Sequence, residues 1–402
     1  MTHLPRLGRF LGLLGAVTLA GYALFRAGPH FAAPEAWPPE DFIAFWSAGR
    51  IFLAGGNPYS WAELGPVQWQ AGWPVSKGPL DLYNPPWGLT FFLPFCVFNF
   101  ASGRLLWLLF QLGTLFLCAE GLRRLYASRN GTSTWPILIC FAYYPTLQLL
   151  AVSQTTFLVL AGIVGFLVCH RHGHEFLAGG WLAITGVKPH LAVLPMAAVT
   201  GWAVVSRRWR ILWGLWAVGA LLLALPALWN PAAYAHYLEA MTTRPPRTVP
   251  AVPAAWLRQL IDPDAYWLQL VPTFLGLVWV TIDAIRQPSL SSWDEKMSGL
   301  LFVTVLTAAY GWGYDLVVLL PPLVEATASL PRWPRPAAAL AAAGYLAGNA
   351  AAVVMNVQHV DERYFVWLAP ALLGGWIMGR WLARPQEAAP PARRPTAEGR
   401  KP

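Results

Sequence analysis

The sequence predicts an all-α, polytopic membrane protein. Of its 402 residues, 56% are hydrophobic and only 12% are charged, whereas a soluble domain carries about 25% charged residues. Long apolar stretches recur along the chain, and no polar block is large enough for a separate soluble core. We therefore expect one membrane-embedded domain over residues 1–384. The Pro/Ala-rich residues 385–402 are expected to form a disordered cytoplasmic tail.

A membrane-spanning helix needs about 20 mostly apolar residues. Candidate spans are 8–26, 104–122, 134–151, 154–170, 211–229, 267–285, 337–356 and 364–381. Two longer apolar regions, 176–205 and 297–330, are interrupted and predict broken helices or helical hairpins. The total is then about 10–12 transmembrane helices with both chain ends in the cytoplasm. Residues 87–98 are apolar but short and flanked by proline, so we interpret them as re-entrant or interfacial.

The basic residues indicate the orientation in the membrane. In the predicted topology 19 of the 28 basic residues lie on the cytoplasmic side and 9 outside, as the positive-inside rule requires. The net charge of +9 thus reflects membrane orientation, and no nucleic-acid partner is expected. We expect a multi-pass protein of the cell inner (cytoplasmic) membrane, with outer loops at 27–86 and 230–266.

The first outer loop is rich in tryptophan. Indole rings favour the headgroup region, so this loop is expected to lie on the membrane surface. Large aromatic residues alternate with small or polar ones between Asp41 and Leu53. This pattern predicts a helix that lies in the plane of the interface.

Several common chemistries have no support in the sequence. The four cysteines lie in apolar segments without CxxC spacing, which indicates buried free thiols. No Walker A loop, GxGxxG, HExxH or GxSxG motif occurs, so ATP-driven transport, dinucleotide chemistry and serine hydrolysis are not indicated. No cofactor is expected, and the sequence leaves open whether a divalent cation assists.

Ionisable and polar groups at membrane depth are costly and are therefore functional candidates. The predicted topology places such residues from separate segments at the outer side. They are Asp41, Gln154, Lys188, His190, Asp315, His359, Asp361, Glu362 and Arg363.

Three of these residues allow both a structural and a functional interpretation. Asp41 either caps the helix that follows it or acts as a general base toward a hydroxyl group. Lys188 either extends to the interface from a helix end or neutralises a phosphate. Asp315, after the glycine-containing break at Tyr310–Tyr314, either caps the next helix or faces the outer cavity.

A set of ordered motifs resembles glycosyltransferase family 87. The set comprises Asp41-Phe42, Phe45-Trp46-Ser47-Ala48-Gly49-Arg50, Gly56-Asn57-Pro58-Tyr59, Tyr83-Asn84-Pro85-Pro86, Ser153-Gln154, Ala178-Gly179-Gly180, Lys188-Pro189 and Tyr314-Asp315-Leu316. Each motif is weak alone, but their order along residues 40 to 330 is fairly specific. Actinobacterial members of this family often carry a histidine pair where this chain has Gly313-Tyr314-Asp315, so the resemblance does not fix the donor sugar or a histidine role at this position.

The resemblance implies a GT-C-like helical fold and a polyprenyl-phosphate-linked sugar donor, and characterised members of the family include mannosyltransferases. It implies that Asp41 is the catalytic base. The acceptor is expected to be a lipid or a glycan at the outer face of the cytoplasmic membrane, and membrane lipid is the other expected partner. Lys188, with Arg363 or His359, is then expected to bind the donor phosphate. The expected substrate-binding residues are Tyr59, Tyr83, Asn84, Gln154, Tyr314 and Asp315.

Two other functions fit the same composition. Broken helices and intramembrane charges also occur in transporters, so a transporter or flippase of a lipid-linked saccharide is the main alternative. No inverted repeat is evident between the two halves of the sequence, which favours the transferase. A non-catalytic assembly subunit is the third interpretation.

Overall fold

The fold is a helical bundle. A computed structural model describes residues 41–126, 135–244, 249–286, 292–330 and 333–382, and all regular structure in these ranges is helical. The all-α class is thereby confirmed. The span predicted at 8–26, residues 27–40 of the first loop and the tail 385–402 lie outside the described residues.

The α-helices are numbered in chain order. They are α1 Phe42–Leu53, α2 Trp61–Gln70, α3 Pro86–Leu89, α4 Leu93–Cys96, α5 Phe100–Tyr126, α6 Trp135–Ala142, α7 Tyr144–Val152, α8 Thr156–Arg171, α9 Glu175–Ile184, α10 Pro189–Val205, α11 Trp209–Trp229, α12 Ala233–Thr243, α13 Pro253–Ile261, α14 Leu270–Arg286, α15 Trp293–Thr307, α16 Leu320–Ser329, α17 Arg335–Val357 and α18 Leu368–Leu382. Short 3₁₀ segments cover Val75–Lys77, Thr185–Val187, Tyr266–Gln269, Gly313–Leu319 and Glu362–Trp367.

Five helical segments in the described ranges are long and apolar enough to cross a membrane. They are Phe100–Tyr126, Trp209–Trp229, Tyr266–Arg286, Arg335–Val357 and Glu362–Leu382, and each contains or closely matches a predicted span. Large apolar side chains on these helices are exposed, for example Trp213 and Trp216 on α11, both 68% exposed. Such surfaces suit contact with lipid, and the polytopic membrane fold is confirmed. The total number of crossings stays a prediction.

The continuous span predicted at 134–151 is wrong. The structure has two helices here, α6 and α7, which meet at Tyr143 with φ −81° and ψ 123°. Pro145 lies in the first turn of α7. In a continuous helix its ring would clash with the carbonyl of Phe141, four residues earlier, so the helix ends and restarts.

The two predicted helix breaks are present. The region 176–205 is interrupted by the 3₁₀ turn Thr185–Val187, and 297–330 by residues 308–312 and the 3₁₀ segment Gly313–Leu319. The apolar residues 87–98 contain only the four-residue helices α3 and α4. These helices are each far shorter than a membrane crossing requires.

Helix α1 is present where the aromatic pattern predicts it, but its surroundings differ from those of a helix at a membrane surface. All residues from Phe42 to Gly49 are buried. The ring of Phe42 stacks on Trp107 of α5 with centroids 6.0 Å apart, and Trp46 Nε1 donates to Phe98 O at 3.0 Å. Aromatic residues cover several faces of α1, so it packs inside the protein and presents no broad polar face.

The Ala178-Gly179-Gly180 motif brings two helices into close contact. A Cβ atom at Gly179 would overlap the carbonyl oxygen of Ile211 in α11, and one at Gly214 would overlap that of Phe176 in α9. Small residues let the backbones of membrane helices approach closely. This motif therefore has a packing role in the fold.

Candidate active site

Asp41 lies directly before α1 and does not cap it. Its backbone is in the helical region, and its side chain makes no capping hydrogen bond. Instead, Gln154 Nε2 donates to Asp41 Oδ2 at 2.6 Å across 113 residues of sequence. The capping interpretation of Asp41 therefore has no geometric support, and its carboxylate is held by a distant segment of the chain.

The Ser153–Gln154 link between α7 and α8 is fixed by its own contacts. Ser153 adopts a left-handed conformation, with φ 60° and ψ 32°, which costs free energy for a residue other than glycine. Its carbonyl accepts from Trp107 Nε1 at 2.9 Å, and the carbonyl of Gln154 accepts from Gln111 Nε2 at 2.8 Å. Two side chains of α5 thus hold the link that presents Gln154 to Asp41.

The two helix breaks meet in a buried ion pair. Lys188 follows the 3₁₀ turn Thr185–Val187, and its Nζ donates to Asp315 Oδ1 at 2.7 Å. The side chains of Lys188 and Asp315 are 7% and 2% exposed. Lys188 is therefore directed inward to a carboxylate, and the interpretation that it extends to the interface is not supported by its position.

Asp315 has three further neighbours. Thr156 Oγ1 donates to its Oδ1 at 2.6 Å, and the backbone N–H of Trp312 donates to its Oδ2 at 3.0 Å. His190 Nε2 lies 3.7 Å from Oδ2. The contact with Trp312 ties down the start of the 3₁₀ segment, so Asp315 has a local structural role as well as its place in the ion pair.

One short segment connects the two carboxylates. Gln154 donates to Asp41 and Thr156, two residues later, donates to Asp315. The charge of Lys188 acts on Asp41 as well as on its partner Asp315. The structure therefore brings together five residues, which we call the carboxylate site: Asp41, Gln154, Thr156, Lys188 and Asp315.

Tyr314 adds an aromatic wall to this site. Lys188 Nζ lies 4.6 Å from the centre of the Tyr314 ring, a cation–π distance. The ring also stacks on Trp312, with centroids 6.0 Å apart and an interplanar angle of 9°. Tyr314 is only 7% exposed, so it shapes the site from within.

A third carboxylate, that of Glu362, lies beside the carboxylate site. Gln148 Nε2 donates to Glu362 Oε1 at 2.6 Å, and the backbone N–H of Gly313 lies 3.4 Å from Oε2. Glu362 interacts electrostatically with both Asp41 and Asp315. The sequence pattern places Glu362 on the outer side without indicating a role for it, and it does not single out Gln148 or Thr156. The signal available for Gln148 was an amide within the apolar helix α7.

The predicted substrate-binding residues of the first loop lie in a neighbouring cluster. Tyr59 is 2% exposed and its hydroxyl donates to Asn84 O at 2.9 Å, so these two residues fasten the loop. Tyr83 is 40% exposed, and its hydroxyl lies 3.4 Å from Asp81 Oδ2. Of this group, Tyr83 is the residue with surface available to a ligand.

Arg363 and His359 are not drawn into the carboxylate site. Arg363 Nη2 pairs with Asp361 Oδ2 at 2.8 Å, and the Arg363 side chain is 37% exposed. His359 is exposed and adopts a left-handed backbone with φ 54°. Neither side chain contacts Lys188 in the part of the chain that the structure describes.

The environment of Asp41 suits a general base. Burial raises the pKa of Asp41 above its ordinary value of 3.8, while the hydrogen bond from Gln154 and the charge of Lys188 oppose that rise. A raised pKa makes the carboxylate a stronger base than an exposed aspartate. Within the described ranges only Oδ2 accepts a hydrogen bond, which leaves Oδ1 for a substrate hydroxyl.

No group of three or more His, Cys, Asp or Glu side chains among the described residues is arranged to hold a metal ion. The site is a set of buried polar residues from four separate segments of a membrane-embedded helical bundle. This defines a class of polytopic proteins with a polar site at the ends of broken helices.

Comparison with known families identifies that class. The profile of glycosyltransferase family 87 matches residues 82–307, more than half of the chain, and the chain belongs to this family. The protein is therefore a membrane glycosyltransferase. No curated protein and no solved structure matches it. The matched range includes Tyr83, Asn84, Gln154 and Lys188, begins after Asp41 and ends before Asp315.

Proposed function

We propose that the protein transfers a hexosyl residue from a polyprenyl-phosphate-linked donor to a lipid or glycan acceptor at the outer face of the cytoplasmic membrane. Because the family includes mannosyltransferases, mannose is one candidate for the sugar. The observation that carries this proposal is the carboxylate of Asp41, which caps no helix, has a raised pKa through burial and keeps one oxygen without a partner within the described residues.

The reaction balances without a cofactor. Asp41 accepts the proton of an acceptor hydroxyl as that oxygen forms a bond to the anomeric carbon of the donor sugar. The bond between the anomeric carbon and the phosphate oxygen breaks, and its electron pair leaves with polyprenyl phosphate. The products are the glycosylated acceptor, polyprenyl phosphate and a protonated carboxyl group, which returns its proton to water.

Lys188 is proposed to stabilise the departing phosphate. Its ammonium group has three N–H donors, one of which is directed to Asp315. Asp315, which Thr156 in turn contacts, and the ring of Tyr314 hold the ammonium group in place near Asp41. A positioned cation of this kind is effective in a site from which bulk water is excluded.

The test is sugar transfer by the detergent-purified full chain. Polyprenyl-phosphate sugars labelled in the sugar are incubated with a membrane-lipid extract as acceptor, and labelled products are separated from the donor. A transferase forms a new labelled product in detergent, where no membrane separates two compartments. Transport of donor in vesicles without product formation would support the flippase alternative and refute the proposal.

A further inference from the structure

Arg258 is buried in an unusual setting. It lies on α13 and is 2% exposed, and its Nε and Nη1 atoms are buried without a hydrogen-bond partner. Its contact is the ring of Tyr266, whose centre lies 4.2 Å from the guanidinium carbon. No carboxylate in the described ranges pairs with it. A buried, unpaired cation is costly, which indicates a missing anionic partner.

Other basic residues near this end of the bundle differ from Arg258. Lys188 pairs with Asp315 at 2.7 Å, Arg244 with Asp81 at 3.0 Å and Arg363 with Asp361 at 2.8 Å. Their charges are compensated within the chain. Arg258 thus keeps an uncompensated charge that an incoming anion can satisfy.

Helix α13 buries a charged side chain and exposes large aliphatic ones. Ala254, Ala255 and Arg258 are buried, whereas Leu260 and Ile261 are 79% and 64% exposed. An amphipathic helix in water would show the reverse pattern. Ile261, three residues beyond the inward-facing Arg258, places an exposed aliphatic side chain next to the cation, which fits a ligand with an apolar chain and an anionic head.

Contacts of α13 connect it to the carboxylate site. Val252, just before α13, packs on Gly311, where a Cβ would lie 2.9 Å from Val252 Cγ1 and 3.9 Å from Asp315 Oδ2. Trp256 Nε1 donates to the carbonyl of Arg363 at 3.0 Å, next to Glu362. Arg258 itself interacts electrostatically with Tyr310, the residue before Gly311.

We propose that Arg258 binds the phosphate of a lipid-linked phosphate, with Ile261 facing the apolar chain. This proposal rests on the proposed function for the identity of the lipid, which is the polyprenyl phosphate of the donor and of the product. A guanidinium group binds phosphate through a bidentate pair of hydrogen bonds. Arg258 thereby becomes a donor-positioning residue that family motifs do not include.

The experiment compares ligand binding by the detergent-purified full chain and its Arg258→Met variant. Thermal unfolding is followed with increasing farnesyl phosphate, farnesol, inorganic phosphate or phosphatidylglycerol. We expect farnesyl phosphate to stabilise the wild type and to bind Arg258→Met roughly tenfold or more weakly. The exposed Arg210→Met is the matched control and should bind like the wild type.

Three results would overturn the proposal. Equal stabilisation by inorganic phosphate would remove the lipid chain from recognition, and equal binding of phosphatidylglycerol would assign the site to bulk lipid. Unchanged farnesyl phosphate binding by Arg258→Met, with a lower unfolding temperature, would give Arg258 a packing role on Tyr266. The proposal expects the unliganded variant to be at least as stable as the wild type, because a buried unpaired charge is removed.

If Arg258→Met does not fold, Arg258→Lys decides the matter. Lysine keeps the charge and loses the bidentate geometry, so weaker farnesyl phosphate binding is expected and equal binding would overturn the proposal. Transfer assays separate this inference from the proposed function. If Arg258→Met transfers sugar as well as the wild type does, the proposed role of Arg258 is wrong and the proposed reaction stands. If the wild type transfers no sugar but binds farnesyl phosphate through Arg258, the proposed reaction is wrong and the binding role of Arg258 stands.

Discussion

Replacing Asp41 with asparagine separates catalysis from stability. The substitution keeps the size of the side chain and removes its basicity. Asp41 caps no helix, and its one side-chain hydrogen bond comes from Gln154 at 2.6 Å. An asparagine can keep that bond in neutral form, so the loss of stability is on the order of 1 kcal/mol or less. The neutral asparagine also avoids the cost of burying a charged carboxylate, the same cost that raises the pKa of Asp41, and this offsets part of the loss.

The expected effect on turnover is far larger. Loss of a general base lowers the rate by a factor of roughly 100 or more, which corresponds to about 2.7 kcal/mol of activation free energy. The assay is sugar transfer from a polyprenyl-phosphate donor by purified wild type and Asp41→Asn, with thermal unfolding measured on the same samples. A folded variant should therefore lose activity and keep nearly the same unfolding temperature.

The matched control is Asp283→Asn, the same chemical change in the distal half of the α14 span. Asp283 pairs with Lys296. Gln269, 14 residues before Asp283, donates to Ala309 O at 2.8 Å beside the helix break that carries Asp315, so Asp283 lies about 21 Å further along the span. It should retain near-normal transfer at matched expression. Near-normal transfer by a stable Asp41→Asn variant would remove Asp41 from the mechanism and refute the reasoning from its geometry.

Three further predictions concern the pH profile, the ion pair and the helix contact. Activity should fall as pH drops through the raised pKa of Asp41. The variant Gln154→Leu removes a hydrogen bond that lowers this pKa, so the acid limb of its kcat/KM profile should move to higher pH. An acid limb that moves to lower pH would contradict this prediction. Lys188→Met should cost about 3–5 kcal/mol of stability by leaving the charge of Asp315 buried without its cation. A double variant with Asp315→Asn, whose amide oxygen can still accept a hydrogen bond from Trp312 or Thr156, should recover much of that loss in thermal unfolding. Gly179→Leu should lower the unfolding temperature because even a Cβ atom at this position overlaps the backbone of α11. An unchanged unfolding temperature would show that close contact between α9 and α11 does not contribute to stability.

The helices were largely predictable because their signals are local. Apolar length gave the long spans, and glycine and proline marked the breaks after Ile184 and Thr307. The break at Tyr143 was missed because residues 134–151 are apolar throughout and Pro145 was counted inside a span. Proline in the first turn of a new helix is common, so the same residue fits a restart as well as a continuous apolar segment.

The sequence singled out Asp41, Gln154, Lys188 and Asp315 as candidates, but it did not indicate which of them contact one another. A charge in an apolar stretch identified Lys188, yet its partner Asp315 lies 127 residues away. Glu362 and Gln148 are separated by 214 residues. Local pattern carries no information about such contacts, because they form only when broken helices from distant parts of the chain pack together.

The charges of the site explain why one cation is insufficient for the proposed reaction. Lys188 and Asp315 together are neutral when both are ionised, and an ionised Asp41 leaves the carboxylate site with a net negative charge. A donor phosphate brings further negative charge, which increases on the phosphate as the sugar departs. Lys188 alone would then face two carboxylates and a phosphate at once. We propose that the additional positive charge comes from the uncompensated guanidinium of Arg258, on the helix that follows Val252, which packs on Gly311 next to the Asp315 segment.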